Sequence, residues 1–215
     1  MPIARGEDWG VPGPLAPDAP VAPDDAALVA ALGAGPGTGP AQGPPPEVGL
    51  TGGDLHRSLG SPHHDEADLR AGRGIRFPLD LAAVTLRPAA GPALRRRFCA
   101  HLVAVEGGGA MFRNRTVVVM NASFLGRDNL GPRAHPNDGR LDVTDGRLRW
   151  WDRRRARSRM PTGTHVPHPD LAVRRVRELA VEFARPATVR LDGVEVGTFA
   201  ALEVAVEPDA VVVVA

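Results

Sequence analysis

The sequence predicts an α+β protein with an antiparallel, β-sandwich-like carboxy-terminal domain and a reduced α/β amino-terminal portion, divided at residues 1–76 and 77–215. Three observations predict it. From residue 77 onward, eight stretches are short, rich in β-branched residues or alternating, and bounded by Gly, Pro, Asn and Asp. The first 46 residues hold half of the 22 prolines, which rules out long helices and central strands there. Between these regions a short strand runs through a Gly-Gly turn into a helix start, the local order of an α/β unit.

The elements follow in chain order. Asp24 or Asp25 caps a short helix over residues 26–32, with Gly33 as its stop. Val48-Gly49-Leu50 is a strand, and "TGGDLHRSLG" is a turn and helix in which Asp54 serves as cap and Gly60 ends the last turn. The β stretches are "FPLDLAAVTL", "RFCAHLVAV", "TVVVMN", "RLDVT", "LAVEFA", "TVRLDGVEVGTF", "ALEVAVEP" and "AVVVVA". Asp192-Gly193, flanked by alternating Val189, Leu191, Val194 and Val196, is a two-residue hairpin signal. One helix, residues 148–160, interrupts the strands, and "HHDEAD" at 63–68 reads as a surface loop.

Composition removes several chemistries. All 26 basic residues are Arg and Tyr is absent, so no phosphate-loop lysine, Schiff-base lysine or tyrosine acid is available. The single cysteine, Cys99, lies in an apolar strand and no Gly-x-Ser-x-Gly elbow exists, so nucleophilic hydrolysis has no support. With no apolar run near 18 residues, the expectation is a cytoplasmic protein without disulfides. The formal net charge of +1 conceals an acidic first 50 residues, one Arg against six acids, and a basic remainder.

Two segments carry candidate sites. In "NASFLGRDNLGPRAHPNDGRLDVTDG", residues 121–146, Asp138 with the carbonyls of Arg140 and Leu141 offers hard oxygen ligands, although Asn-Asp-Gly also serves simply as a tight turn. Seven Arg and two Trp within residues 147–159 suit a solvated helix with one or two Trp packed inward, or a surface for anionic lipid headgroups or nucleic-acid phosphate.

The run "VVVMNASFLGRDNLGPRAHPNDGRLDV" resembles the diacylglycerol kinase and sphingosine kinase type of lipid kinase, with Asn121, Gly126, Pro132, Ala134, Asp138, Gly139, Leu141, Asp142 and Val143 in the family's order. Upstream, "VGLTGGDLHRSLGSP" is similar to the family's "GTGNDLARSLGIP", which sets Asp54 and Arg57 on the family's Asp and Arg. Downstream, "TGTHVPHPDL", "VRLDGVEVG" and "VEPDAVVVVA" are similar to its Gly-x-His segment, Asp-Gly-Glu hairpin and closing strand.

The resemblance implies ATP-dependent phosphorylation of a lipid hydroxyl with Mg²⁺, in a cleft between an α/β nucleotide-binding domain and a β-sandwich domain. It implies a nucleotide and metal network of Asp25, Gly52, Gly53, Asp54 and Arg57, a metal-binding turn at Asp138 and Leu141, and a catalytic glutamate whose nearest counterpart is Glu195. It also implies a lipid substrate, and favours an anionic membrane surface over nucleic acid as partner of segment 147–159. The departures fall on the ATP site. Pro23, Asp24, Ala26 and Ala27 stand where the family carries phosphate-loop Gly and Thr, about 20 Pro-rich residues stand where it carries a first βαβ unit, and Glu195 is one place late. The expectation is a divergent relative with kinase activity weakened or lost, or a non-catalytic relative that binds lipid, nucleotide or protein.

Overall fold

The structure, a computed structural model, describes residues 9–33 and 43–215. Short strands β1 (Val11–Pro12) and β2 (Val21–Ala22) lead to α1 (Asp25–Ala31), then β3 (Glu47–Leu50), α2 (Gly53–Leu59) and α3 (Glu66–Arg70). The β-rich part follows: β4 (Ile75–Arg87), β5 (Leu94–Phe98), β6 (His101–Glu106), β7 (Thr116–Met120), β8 (Phe124–Leu125), β9 (Asp128–Asn129) and β10 (Leu141–Gly146). Helix α4 (Trp150–Arg159) and a 3₁₀ turn precede β11 (Leu171–Val176), β12 (Glu178–Leu191) and β13 (Val194–Val214).

Eleven strands form one curled sheet with the order β1-β4-β13-β12-β6-β7-β10-β11, and β5 pairs with β4. Most pairings are antiparallel; the exceptions are β2 with β3 and β3 with β13, which run parallel. A parallel neighbour needs a crossover, and α1 supplies it between β2 and β3. Strands from before and after residue 76 thus share a sheet, joined by the end of β13: Val212 lies opposite Glu47 on one side and Pro78 on the other.

Wrapping the sheet over itself makes the main core from Val84, Leu86, Phe98, Leu102, Val119, Leu141, Val189 and Leu202, with their neighbours. β6 and β7 are buried on both faces, which explains their unbroken apolar runs. Their second face is covered by Phe112, Leu130, Leu148, Ala156 and Met160. A separate cluster packs Leu28, Leu50 and Leu55 of the amino-terminal portion against Phe77, Leu79, Val211 and Val213. No helix among the described residues is long and apolar enough to cross a membrane.

Several expectations change. The carboxy-terminal stretches "LAVEFA" through "AVVVVA" form two long strands, because Pro186 and Pro208 sit in the register shifts between Glu182 and Ala187 and between Glu207 and Val211. A proline is tolerated where the ladder is already interrupted. "RFCAHLVAV" breaks at Cys99-Ala100, whose N–H groups donate to a side chain rather than to a strand. The surface loop expected at 63–68 is helical from residue 66, where α3 begins, held by a capping box between Asp65 and Asp68. The inward packing expected of the tryptophans of α4 is not found: Trp150 is 49% and Trp151 69% exposed.

Phe98 is fully buried in the main core. Replacing it with alanine should lower stability by about 3–5 kcal/mol in urea unfolding, and a loss below about 1 kcal/mol would contradict this packing.

Candidate functional site

The site grows from a buried carboxylate. Asp24 caps α1, its side chain accepting the N–H of Ala27 at 2.8 Å, and so fixes Asp25 as the first residue of the helix. Asp25 is 5% exposed. Its two oxygens accept the N–H of Asp54 at 2.7 Å and of Leu55 at 3.1 Å, which are among the free donors at the start of α2. Asp54 therefore does not cap α2; the cap comes from Asp25, which no local reading of "TGGDL" could supply.

Gly52 and Gly53 permit this approach. A Cβ on Gly53 would lie 2.3 Å from Oδ1 of Asp25, and one on Gly52 would lie 2.7 Å from the carbonyl of Pro23. Gly53 also has φ +99°, a conformation that L side chains rarely adopt.

The polar face of α2 docks onto the segment after β7. Asp54 accepts the N–H of Gly126 at 2.9 Å and pairs with Nε2 of His101 at 2.9 Å. Arg57 donates to the carbonyl of Gly126 at 2.7 Å and lies 4.3 Å from the centre of the Phe124 ring. The hydroxyl of Ser58 accepts the N–H of Ser123 at 3.0 Å. Across the cluster, Asp192 in the β12–β13 turn accepts the N–H groups of Cys99, Ala100 and His101 at 2.9–3.0 Å.

These contacts set the protonation states. Burial, then the negative charge of Asp192, raises the Asp25 carboxyl to about 7 despite its two N–H donors. Burial also raises Asp192. Asp54 moves the other way: burial opposes ionisation, but the hydrogen bonds from His101 and Gly126 and the charges of His101 and Arg57 outweigh it. For His101 burial disfavours the cation, and the bond to Asp54 with the charges of Asp192, Asp54 and Asp25 more than compensates, so its pKa rises. Burial, with Asp192 and Asp25 adding to it, lifts the Cys99 thiol well above its ordinary value and keeps it un-ionised.

Asp25, Asp54 and His101 each present a ligand atom within 4.8 Å of the others, a grouping that could hold a cation. The same atoms are already committed to one another and to backbone donors, so a metal would compete with the Asp54–His101 pair. A triphosphate fits worse. The N–H groups that would cradle a phosphate are taken by Asp25, and two carboxylates face the approach.

The remaining expected residues lie elsewhere. Glu195 is on the exposed β12–β13 hairpin and pairs with Arg190 at 2.7 Å. A bulge does occur there, between Val189 and Arg190, yet it leaves Glu195 facing Arg190. Asp138 pairs with Arg175 beside a pocket of about 170 Å³ lined by Asp80, Asn137 and Arg177. Its Oδ1 is buried without a hydrogen-bond partner. Asp80 accepts the N–H of Gly139 at 2.7 Å and of Asp209 at 3.0 Å, which closes the turn. The Leu141 side chain is wholly buried, leaving only its carbonyl as a possible ligand. His101 and Asp192 were not anticipated as site residues. The signals were a histidine inside an apolar strand and the acid at the head of the Asp-Gly hairpin.

Residues 93–215 match the YegS C-terminal NAD kinase beta sandwich-like domain family. The chain belongs to this family. Two structures of a "putative diacylglycerol kinase" from Bacillus anthracis str. Sterne share its fold, with TM-scores of 0.57 and 0.58 and identities of 16% and 14%. Each alignment covers 78% of this chain, and 68% and 69% of the respective structure. A third structure, of a diacylglycerol kinase from the same organism, has a TM-score of 0.50, 15% identity and coverage of 78% and 66%. Comparison with curated proteins gives no match. The resemblance seen in residues 117–143 thus agrees with the family match, and the fold is shared with these structures.

The protonation states have a consequence for stability. Asp25 has its folded pKa raised from 3.8 to about 7, so between those values the folded state holds a proton that the unfolded state has lost, and stability falls as pH rises. His101, also raised, contributes stability below its ordinary value of 6.5 that is lost as pH rises through its folded pKa. Unfolding in urea at pH 5 and pH 8 should show the wild type less stable at pH 8, and Asp25→Asn should flatten the slope below pH 7. An unchanged slope in Asp25→Asn would refute the assignment.

Proposed function

We propose that this kinase-family relative is a diacylglycerol kinase-like protein whose ATP-dependent phosphorylation of a lipid hydroxyl is weakened or lost. One observation carries the reading: the Asp25 carboxylate sits on the backbone donors that begin α2. Phosphoryl transfer is chiefly a matter of positioning the phosphates and neutralising their charge. A phosphate brought to this helix start would have to displace a buried anion and then remain beside Asp25 and Asp54. The placement of Glu195 against Arg190 supports the same reading, since it leaves that glutamate away from Asp25, Asp54 and His101.

A second reading, a working kinase, is favoured by the Asp25 carboxyl near pH 7, because a general base works best with a pKa near the operating pH. In it, Asp25 would take the proton of the attacking hydroxyl, and the Asp54 carboxylate would be the group to hold Mg²⁺, which would neutralise phosphate charge.

Titration calorimetry separates the two. Under the main reading Mg-ATP produces no saturable heat at millimolar concentration, which limits binding to less than about 4 kcal/mol. Labelled phosphate should also fail to reach diacylglycerol above background. Saturable micromolar binding, with transfer that drops by about 100-fold or more in Asp25→Asn, would establish the working kinase instead.

A further inference from the structure

We propose that α4 and the groove beside it form a docking face for an anionic bilayer surface. Helix α4 is polar almost all round, and Ala156 is its one buried residue. Arg147, Arg149, Arg153, Arg154, Arg155, Arg157 and Arg159 crowd this segment against a single acid, Asp152. None of the seven guanidinium groups has an ion-pair or hydrogen-bond partner among the described residues. That contrasts with Arg57, Arg115 and Arg175, whose partners close turns and strand edges. Asp152 forms no ion pair with any of them among the described residues; its carboxylate lies 4.0 Å from Nε2 of His168.

Apolar surface accompanies this charge. Trp150 and Trp151 are two of the four large hydrophobic residues exposed among the described residues. The adjacent groove, about 570 Å³, is lined by Met111, Trp150, Arg153, Arg154 and Arg157 with one acid, Asp128, over a floor of the buried Phe112, Leu148 and Met160. Indole rings beside unpaired arginines match the composition of a membrane interface, where Trp sits at the headgroup level and Arg extends to the phosphates. Each arginine held near an anionic surface adds attraction that salt screens.

Nucleic acid is the competing anion, and the ring geometry argues against it. The two indoles meet edge to face, 4.1 Å between centroids at 80°, and Arg154 lies 5.2 Å from the centre of the Trp150 ring. Successive bases stack on parallel ring faces, and two indoles at 80° do not form such a pair. A bilayer interface accepts the rings in any orientation. The inference does not depend on phosphoryl transfer, because it concerns a surface outside the Asp25–Asp54–His101 cluster.

The test is co-sedimentation of the full chain with vesicles of phosphatidylcholine alone and of phosphatidylcholine mixed with phosphatidylglycerol, with indole emission recorded on the same samples. Partition should be at least about tenfold stronger onto the mixed vesicles, weaken with salt, and shift emission to the blue. R153E/R154E/R157E should abolish the preference. W150S/W151S should keep the salt dependence and lose both the emission shift and part of the affinity. All these positions lie on an exposed helix, and unchanged thermal unfolding in both variants would show that the losses are local. Equal partition onto the two vesicle types, or tighter binding to DNA than to mixed vesicles at the same salt, would overturn the proposal.

Discussion

A carboxylate cannot be buried without partners, and the satisfaction of Asp25 organises the amino-terminal portion of this protein. Leaving it unpaired would cost several kcal/mol. The partners come from α2, whose first N–H groups have no intrahelical acceptors. One contact therefore answers two unmet needs, and it fixes α1 against α2 with Gly52 and Gly53 as the residues that allow the approach. Once α2 is placed, Asp54 reaches His101 and Gly126, while Arg57 and Ser58 reach residues 123–126. The helix start that most resembles a phosphate site is the point at which the chain fastens to itself.

The second organising feature is β13. Its first half pairs with β12 and β4 in the main core, and its last residues lie between β4 and the parallel β3. A strand that belongs to both packing clusters couples them, so Val211 and Val213 are as inaccessible as Leu202. The interruptions at Pro186 and Pro208 let β12 and β13 bend without ending. Asp192, at the turn joining them, carries the bend into the site by holding the N–H groups of residues 99–101.

Much of this was legible from residue order alone. The β-rich part announces itself through alternation and β-branched runs, and Asp192-Gly193 turns where its dipeptide says it should. Helix α1 begins at its Asp cap, and α2 ends at Gly60 in a left-handed conformation. What escaped were features settled by distant partners. Residues 97–105 look like one strand, because the carboxylate that breaks them is some 90 positions away. Asp54 looks like a cap because its true partner, His101, is 47 positions on. Glu195 drew attention through family order, yet its direction depends on hairpin register and on Arg190. The tryptophans of α4 were expected inside by the usual preference for burying large rings, and their exposure follows from a helix with only Ala156 to pack.

The account ties function to one competition, between Asp25 and an incoming phosphate for the same backbone donors. The amide resonances of Asp54 and Leu55 report on it directly, since each donates to Asp25 at rest. Following them by nuclear magnetic resonance during titration with Mg-ATP near pH 8, where Asp25 is largely ionised, is the most direct measurement. The account predicts that both resonances stay where they are up to millimolar nucleotide, and that both move in Asp25→Ala without any ligand. Saturable movement of both in the wild type at micromolar Mg-ATP would show that phosphate takes the helix start from Asp25, and would contradict it.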